Sequence, residues 1–312
     1  MKKYLLLLLS LPLSFCSYAI DSDVDTTLII ESEATMRGLL VDILTNKELS
    51  IRQESSQKLE KIMEKTLSQK GAFEYDFSNL EGVSLVQPED KSFKIFTWQL
   101  YLDKDHYQYR GFIQTKENKV YKLQDKSDDM RTVEFSILKP ENWYGALYYN
   151  LKEFKSDGQK MYLLFGFDAY DFYNRRKLLD VLYFDSSGRP RFGKTVLEMK
   201  DGFGRKRKVK RFVMEYSSSV NVTLNYSEEQ EMVVYDHLIY GSPIKSAGPS
   251  NVPDGSYSGL KLSKDGTWEF VDKVHKDDPA NVLVDATSYE RILQNEKAKS
   301  KTKKKDLFGR RK

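Results

Sequence analysis

Apolar and polar residues alternate with a period of two along most of this chain, and the pattern is clearest over residues 209–239. Because successive side chains of a β-strand point to opposite faces, this alternation predicts strands that bury one face. Two polar interruptions, at 217–219 and 227–230, divide the stretch into three runs. We therefore predict that residues 209–239 form a three-stranded antiparallel meander. The apolar side of its middle strand consists of Val220, Val222, Leu224 and Tyr226.

Similar runs, joined by short turns, continue from residue 93 to residue 271 and predict about a dozen strands. Parallel neighbours need crossover connections of about a dozen residues or more, and no such helical segments separate the runs, so the strands are expected to be antiparallel. An open twisted sheet rarely exceeds about ten strands. The predicted fold is therefore α+β and dominated by β structure: a large antiparallel meander, as one curled sheet or two packed sheets. A small β-propeller is the alternative, although we find no repeat of about 40–45 residues.

Two strands carry more specific predictions. Residues 93–101 are apolar on both faces, which is typical of a central strand that is covered on each side. A further strand is predicted from the alternation of Val133, Phe135 and Ile137.

Three turns are predicted from their composition. Residues 185–188 form a hairpin turn in which Gly188 provides a positive φ, and residues 253–255 carry a second turn signature. Residues 168–171 contain two acids in a calcium-like spacing. They lack the glycine and the distal glutamate of an EF-hand loop, so we interpret them as a turn.

Two stretches between residues 25 and 70 change to the helical period and predict a pair of amphipathic helices that pack on the sheet. Gly71 is placed to end the second helix. The polar faces carry both charge signs, unlike a basic membrane anchor, so a membrane-surface role for these helices is disfavoured. The apolar positions are Met36, Leu39, Leu40, Ile43 and Leu44 in the first stretch and Leu59, Ile62, Met63 and Leu67 in the second.

Residues 1–19 have the features of a secretory signal peptide: two lysines, an apolar core of about a dozen residues and a small-x-small cleavage site. Cys16 follows the bulky Phe15, which disfavours lipoprotein processing, so cleavage is expected after Ala19. The mature chain is then predicted to have no cysteine and no disulfide. No other apolar run approaches the ~20 residues that span a bilayer. We therefore expect a periplasmic or secreted protein without a transmembrane segment.

The predicted organisation is a signal peptide at 1–19, a helical element at 20–71, an antiparallel β domain at 72–290 and a disordered basic tail at 291–312. Cleavage lowers the formal net charge from +4 to +2, because two lysines are removed. From residue 296 onward the tail carries nine Lys or Arg residues against two acids, which leaves the rest of the chain at about −5. The basic excess is therefore local.

A second basic cluster, Arg205, Lys206, Arg207 and Lys208, follows a predicted hairpin tip at 201–204. This cluster and the tail could attract lipopolysaccharide, acidic glycan or phospholipid by Coulomb forces that salt screens. A solvated hairpin and a solubilising tail are the alternative. The export signal disfavours nucleic acid as a partner.

Short aromatic-rich strings support a resemblance. They are Lys-Ile-Phe-Thr-Trp at 94–98, Trp-Tyr-Gly-Ala-Leu-Tyr-Tyr at 143–149, and Met-Val-Val-Tyr-Asp-His-Leu at 232–238 followed by Pro-Asp-Gly-Ser-Tyr at 253–257. In these strings the chain resembles a group of uncharacterised exported β-rich proteins of Gram-negative bacteria, over roughly residues 25–275. The group has no assigned activity, so the resemblance implies the domain limits and nothing about chemistry.

Asp236, His237 and Asp254 are the most enzyme-like residues of the chain. Asp254 could reach His237 from the later turn, whereas Asp236 is the strand neighbour of His237 and should point to the opposite face. Asp236 therefore cannot orient the imidazole as a catalytic triad requires. We interpret the three residues as candidate ligand-binding groups and predict no catalytic residue.

Trp98 and Trp143 are candidates for an aromatic groove that binds glycan or lipid, with core packing as the alternative. No motif for a metal, nucleotide or other cofactor is found, so none is predicted.

These observations predict an exported binding or structural protein of the cell envelope, without catalytic activity. Its partner would be an envelope glycan, a lipid or another envelope protein. The alternative is a periplasmic hydrolase of glycan or peptide that uses two of the chain's 46 acidic side chains, because the separation that such an enzyme needs is a three-dimensional quantity.

Overall fold

The structure is a computed structural model that describes residues 26–103, 106–200, 204–241 and 250–274. The predicted signal peptide, its cleavage site and the basic tail lie outside the described residues. No helix within the described ranges is both long and apolar enough to cross a bilayer.

The predicted helix pair is confirmed as α1 (Thr27–Thr45) and α2 (Leu49–Leu67). Their apolar stripes pack on each other and on the first sheet. Gly71 adopts a φ of 84° four residues after α2 ends. The buried Arg52 of α2 ties the helices to the sheet, because its guanidinium donates to the carbonyl oxygens of Tyr101 and Leu102 at 3.0 and 2.8 Å.

The first sheet contains four strands in chain order: β1 (Ser84–Val86), β2 (Phe93–Tyr101), β3 (Tyr107–Thr115) and β4 (Val120–Gln124). All of its pairs are antiparallel. The prediction for β2 is confirmed, since every residue of this strand except Tyr101 is buried. Phe96 and Trp98 face the helices, while Phe93 and Ile95 face the second sheet.

Three short 3₁₀ turns follow β4, at Ser127–Asp129, Val133–Phe135 and Pro140–Asn142. The strand predicted from Val133, Phe135 and Ile137 is therefore wrong. Phe135 and Ile137 are 47% and 51% exposed. An alternating triplet becomes a strand only when a neighbour accepts its backbone hydrogen bonds, and here only Leu138 makes a bridge, to Phe192.

The second sheet has the order β11-β7-β6-β5, with β8 also paired to β7. The turn predicted at 185–188 is confirmed between β7 and β8, where Gly188 has a φ of 73°. The turn predicted at 168–171 is confirmed as the start of the β6–β7 connection. The strands are β5 (Leu147–Ser156), β6 (Gln159–Asp168), β7 (Asn174–Phe184), β8 (Pro190–Phe192) and β11 (Arg211–Ser217).

The third sheet has the order β10-β9-β15-β14-β13-β12. Its pairs are antiparallel, apart from a single parallel bridge between Trp268 of β15 and Leu197 of β9. The strands are β9 (Leu197–Lys200), β10 (Lys206–Val209), β12 (Leu224–Ser227), β13 (Met232–Gly241), β14 (Ser250–Leu262) and β15 (Trp268–Val274).

The predicted meander over residues 209–239 needs correction. Its second and third strands pair as β12 and β13, but its first strand, β11, belongs to the second sheet and pairs with β7. The reason is visible at Arg211, whose charge is buried directly opposite Asp180 of β7. A local pattern identifies a strand and its buried face but not its neighbour.

The turn predicted at 253–255 is also wrong as a connection between strands. These residues lie inside β14, at a bulge. Asp236 pairs with Tyr257 and Leu238 pairs with Pro253, so the intervening residues of β14 stand opposite His237 alone. Gly255 has a φ of 87°, which a glycine adopts without strain.

The layers stack in an open series of helices, first sheet, second sheet and third sheet. One core lies between each pair of successive layers. The predicted class, a β-dominated α+β fold with an N-terminal helix pair and antiparallel sheets, is confirmed. Within the described ranges the strands form three sheets, rather than one curled sheet or two packed sheets.

Candidate ligand-binding cleft

A cleft of about 560 Å³ lies where edge strand β11 of the second sheet crosses the third sheet. Its walls come from β9, β11, β13, β14 and β15. Its apolar lining residues are Met199, Phe212, Val213, Met214, Tyr235, Leu238 and Phe270. A partly apolar cavity of this size, with a few polar groups, is the usual form of a small-molecule site.

The cleft exists because β11 has a sheet neighbour on one side only, β7. The phenyl ring of Phe212 packs at 5.3 Å from the ring of Tyr235 and holds β11 above the third sheet. At one end the gap is closed by Asn251 of β14, whose amide donates to the carbonyl oxygen of Glu215 at 2.9 Å. The open stretch between these two contacts is the cleft.

Asp236 and His237 both border the cleft. Asp236 is buried and accepts the backbone N–H of Thr223 at 2.5 Å. His237 is exposed, and its Nδ1 lies 3.0 Å from Oδ2 of Asp254. Asp254 therefore converges on the imidazole, as the sequence suggested. The β14 bulge, which the sequence did not predict, brings Asp254 there. That Asp236 cannot orient His237 stays a prediction.

Both carboxylate oxygens of Asp254 have hydrogen-bond partners. The Ser256 hydroxyl donates to Oδ1 at 2.7 Å and the Ser256 N–H donates at 2.9 Å, while His237 lies at Oδ2. These hydrogen bonds, chiefly those from Ser256, lower the pKa of Asp254 to about 2. Because the serine contacts the carboxylate and not the imidazole, the three groups do not form a nucleophilic triad.

Polar groups also occupy the β9–β15 side of the cleft. The ammonium group of Lys200 lies 3.1 Å from Oδ2 of Asp272, and this contact lowers the pKa of Asp272. Burial raises the pKa of Tyr235, with a smaller contribution from the charge of Asp272, so its hydroxyl stays protonated. The cleft thus combines an apolar surface with a cation, an imidazole, carboxylates and a phenol.

Trp98 and Trp143 do not line a groove. Both are fully buried, Trp98 in the core under the helices and Trp143 in the core between the first and second sheets. The indole N–H of Trp143 donates to the Tyr148 hydroxyl at 2.8 Å. The alternative reading, core packing, is the correct one for both.

The basic cluster lies at the start of β10, which pairs with β9, while residues 201–203 of the predicted tip lie outside the described residues. The cations of the cluster have local partners. Lys206 pairs with Glu198 at 2.7 Å and Arg207 with Glu134 at 3.1 Å. Lys208 donates to the hydroxyl of Thr267 at 3.2 Å, and Arg205 also makes a contact. Much of the positive charge of the cluster is therefore paired with acidic side chains of the protein itself. Polyanion binding by the cluster stays a prediction.

Sequence reasoning missed most of the cleft. Lys200, Phe212, Phe270 and Asp272 come from three strands of two sheets, and nothing in their local sequence connects them. No group of three or more His, Cys, Asp or Glu side chains that could hold a metal occurs among the described residues.

Comparisons with protein-family models, with curated proteins and with solved structures find no match to this chain. The molecule is a β-dominated α+β protein with a cleft between two of its sheets.

Proposed function

We propose that this chain is an exported cell-envelope protein of Gram-negative bacteria that binds a ligand in the cleft beside β11 and catalyses no reaction. The observation that carries the proposal is the composition of the cleft, whose lining combines apolar side chains such as Phe212, Leu238 and Phe270 with charged and polar groups. Export is supported by the sequence of residues 1–19 and by the resemblance to exported proteins.

The ligand that fits this surface has an apolar body and a polar end. Phe212, Tyr235 and Phe270 offer rings for stacking, which suits an acyl chain, the apolar face of a sugar or an aromatic side chain. Lys200 and His237 offer hydrogen-bond donors at the edge. An envelope lipid, a glycan or a segment of another envelope protein meets this description.

Binding rather than hydrolysis is supported by the state of the polar groups. A general base needs a pKa near the working pH, whereas the pKa values of Asp254 and Asp272 are both lowered by their partners. A nucleophilic serine needs a base beside it, and Ser256 contacts a carboxylate that is held as an acceptor. These groups therefore favour binding over hydrolysis by a general base or a nucleophilic serine.

The first experiment is recovery of the protein from its native envelope, followed by mass spectrometry of the small molecules that co-elute. The variant Phe270→Ser should lower the recovered ligand by roughly tenfold, since a half-buried ring contributes about 1.5 kcal/mol or more to apolar contact. The matched control is Ile51→Ser, which removes an exposed apolar side chain from α2, far from the cleft. Equal recovery from both variants would refute the cleft as the binding site.

A second experiment addresses the alternative. Release of fragments from envelope glycan or peptide by the wild-type protein, with loss of that activity in Asp272→Asn, would show a hydrolase and overturn the proposal. Export is tested by N-terminal sequencing of the purified periplasmic or secreted protein, which should begin at Ile20.

A further inference from the structure

An exposed apolar patch lies at one end of the molecule, away from the three cores. It consists of Tyr170, Phe172, Tyr173, Ile239 and Tyr240, which we call the aromatic tip. Tyr240 is 74% exposed and Phe172 is 63% exposed. No member of the tip belongs to a core cluster or packs against one, so core packing does not explain these side chains.

The tip is assembled from two hairpins. The β6–β7 connection supplies three of its residues and the end of β13 supplies the other two. The hairpins are joined where the hydroxyl of Ser250, which pairs with Gly241, donates to the side-chain oxygen of Asn174 at 2.7 Å. Tyr173 and Tyr240 each directly precede one of the residues in this junction. The two sets of apolar side chains therefore share one end of the structure.

The β6–β7 connection is held in place by hydrogen bonds within itself and by hydrogen bonds from Ser218. Oδ1 of Asp171 accepts the backbone N–H groups of Tyr173 and Asn174, both at 2.7 Å. Ser218 donates its N–H to the carbonyl of Tyr173 at 2.8 Å and its hydroxyl to the carbonyl of Phe172 at 2.7 Å. The exposed rings are thus presented by a fixed backbone, which lowers the entropy lost when they bind.

One residue of the tip has a strained backbone. Tyr170 has a φ of 49°, a conformation that is unfavourable for a non-glycine residue. The strain is held by a hydrogen bond from its N–H to Asp168 at 2.9 Å and by the guanidinium of Arg176, which lies 3.2 Å from its ring centroid. Strained residues of this kind concentrate at functional sites.

Three cations, Arg175, Arg176 and Lys177, follow the tip along β7. Arg176 is paired with Glu215 at 2.7 Å. Tyrosine and phenylalanine rings beside cations suit the boundary between water and a bilayer, where the ring enters the acyl region and the hydroxyl and the cation stay at the headgroups.

We propose that the aromatic tip docks the protein on a bilayer surface that carries anionic headgroups, with Phe172 and Tyr240 as the inserted side chains. The tip lies beside the Asn251 end of the cleft, because Asn251 pairs with Tyr240. The proposal does not depend on what the cleft binds.

The experiment is flotation of the full purified chain with vesicles of phosphatidylethanolamine and phosphatidylglycerol, beside vesicles of phosphatidylcholine alone. The wild type should float with the anionic vesicles and less with the neutral ones, and added salt should reduce the difference. The double variant Phe172→Ser, Tyr240→Ser should lower the vesicle partition coefficient by roughly tenfold or more, because two rings no longer leave water. The matched control Val41→Ser, which changes a side chain of α1 that is 58% exposed, should leave it unchanged.

Insertion is measured separately with Phe172→Trp and Val41→Trp and brominated lipids. The indole introduced at position 172 should be quenched, while that at position 41 should not. Failure of the wild type to float, or equal partition of the wild type and the double variant, would overturn the proposal. Loss of a wild-type dimer in sedimentation of the double variant, without vesicle binding by the wild type, would instead assign the tip to contact between copies of the chain.

Discussion

Replacing Arg211 by methionine leaves the carboxylate of Asp180 buried without its partner. The two residues face each other across β11 and β7, neither has exposed side-chain surface, and Nε of Arg211 lies 2.8 Å from Oδ2 of Asp180. The guanidinium also donates to the carbonyl of Val133 at 2.7 Å, so Arg211 joins the edge strand to the connection that follows the first sheet.

Removing one member of a buried ion pair costs about 3–5 kcal/mol, because the other charge stays desolvated. A typical domain has about 5–15 kcal/mol of total stability, so Arg211→Met should unfold at a far lower urea concentration than the wild type. Replacing both members with apolar residues of similar size, in Arg211→Met with Asp180→Leu, removes both buried charges. The double variant is therefore expected to be more stable than Arg211→Met alone.

Urea unfolding, followed by circular dichroism, gives the change in unfolding free energy for Arg211→Met, for Asp180→Leu and for the double variant, each relative to the wild type. Lys206→Met is the control, because Lys206 pairs with Glu198 at a similar distance but on the surface, and its midpoint should stay close to that of the wild type. An Arg211→Met protein that unfolds within about 1 kcal/mol of the wild type would contradict the reasoning. The reasoning would also be contradicted if the double variant lost more unfolding free energy than Arg211→Met and Asp180→Leu lose together.

Three further predictions concern other parts of the fold. Burial raises the pKa of Asp168 to about 6, so its contribution to stability is complete below about pH 4 and is lost as the pH rises through 6. Relative to Asp168→Asn, the wild type should lose roughly 2 kcal/mol between pH 4 and pH 7 in urea titrations, and a constant difference would contradict this. Gly266→Ala should destabilise by about 2 kcal/mol more than Gly188→Ala. Both glycines have a positive φ, but a Cβ at Gly266 would clash with the Cα of Ser156 and the carbonyl oxygen of Lys155, while Gly188 has open space. Trp98→Ala should cost about 3–5 kcal/mol in urea unfolding and leave ligand recovery per folded molecule unchanged, because this indole is fully buried beneath the helices.

Much of the local structure follows from residue patterns. The helix pair, the doubly covered strand β2 and the turn at Gly188 were predicted from the period of apolar residues and from turn chemistry, and all are present. These features depend on neighbours within a few residues, which is the range over which a sequence pattern carries information.

The failures share a different cause. Phe135 and Ile137 alternate like strand residues but lie in a 3₁₀ turn and the segment after it, because the neighbouring strand β11 pairs with β7 instead. Trp98 and Trp143 were candidates for a surface groove, and burial from both sides placed them in cores. In each case, the local structure or burial depends on which distant segment of the chain packs against these residues.

The candidate site shows the same division. The convergence of Asp254 on His237 was expected from a turn, whereas the structure achieves it through a bulge inside β14. Phe212 and Phe270 had no local signal at all, since they meet only when β11 leaves its sequence neighbours for the second sheet.

The amino-acid sequence by itself determined the secondary structure class, the antiparallel connections and the buried face of each strand, because side-chain period and turn propensity act locally. Only the tertiary structure decided which strands are neighbours, that Arg211 is a buried ion-pair partner rather than a surface cation, and that a cleft lies beside β11. The physical reason is that strand pairing is set by the burial of side chains distant in sequence, and many pairings satisfy the same alternating pattern.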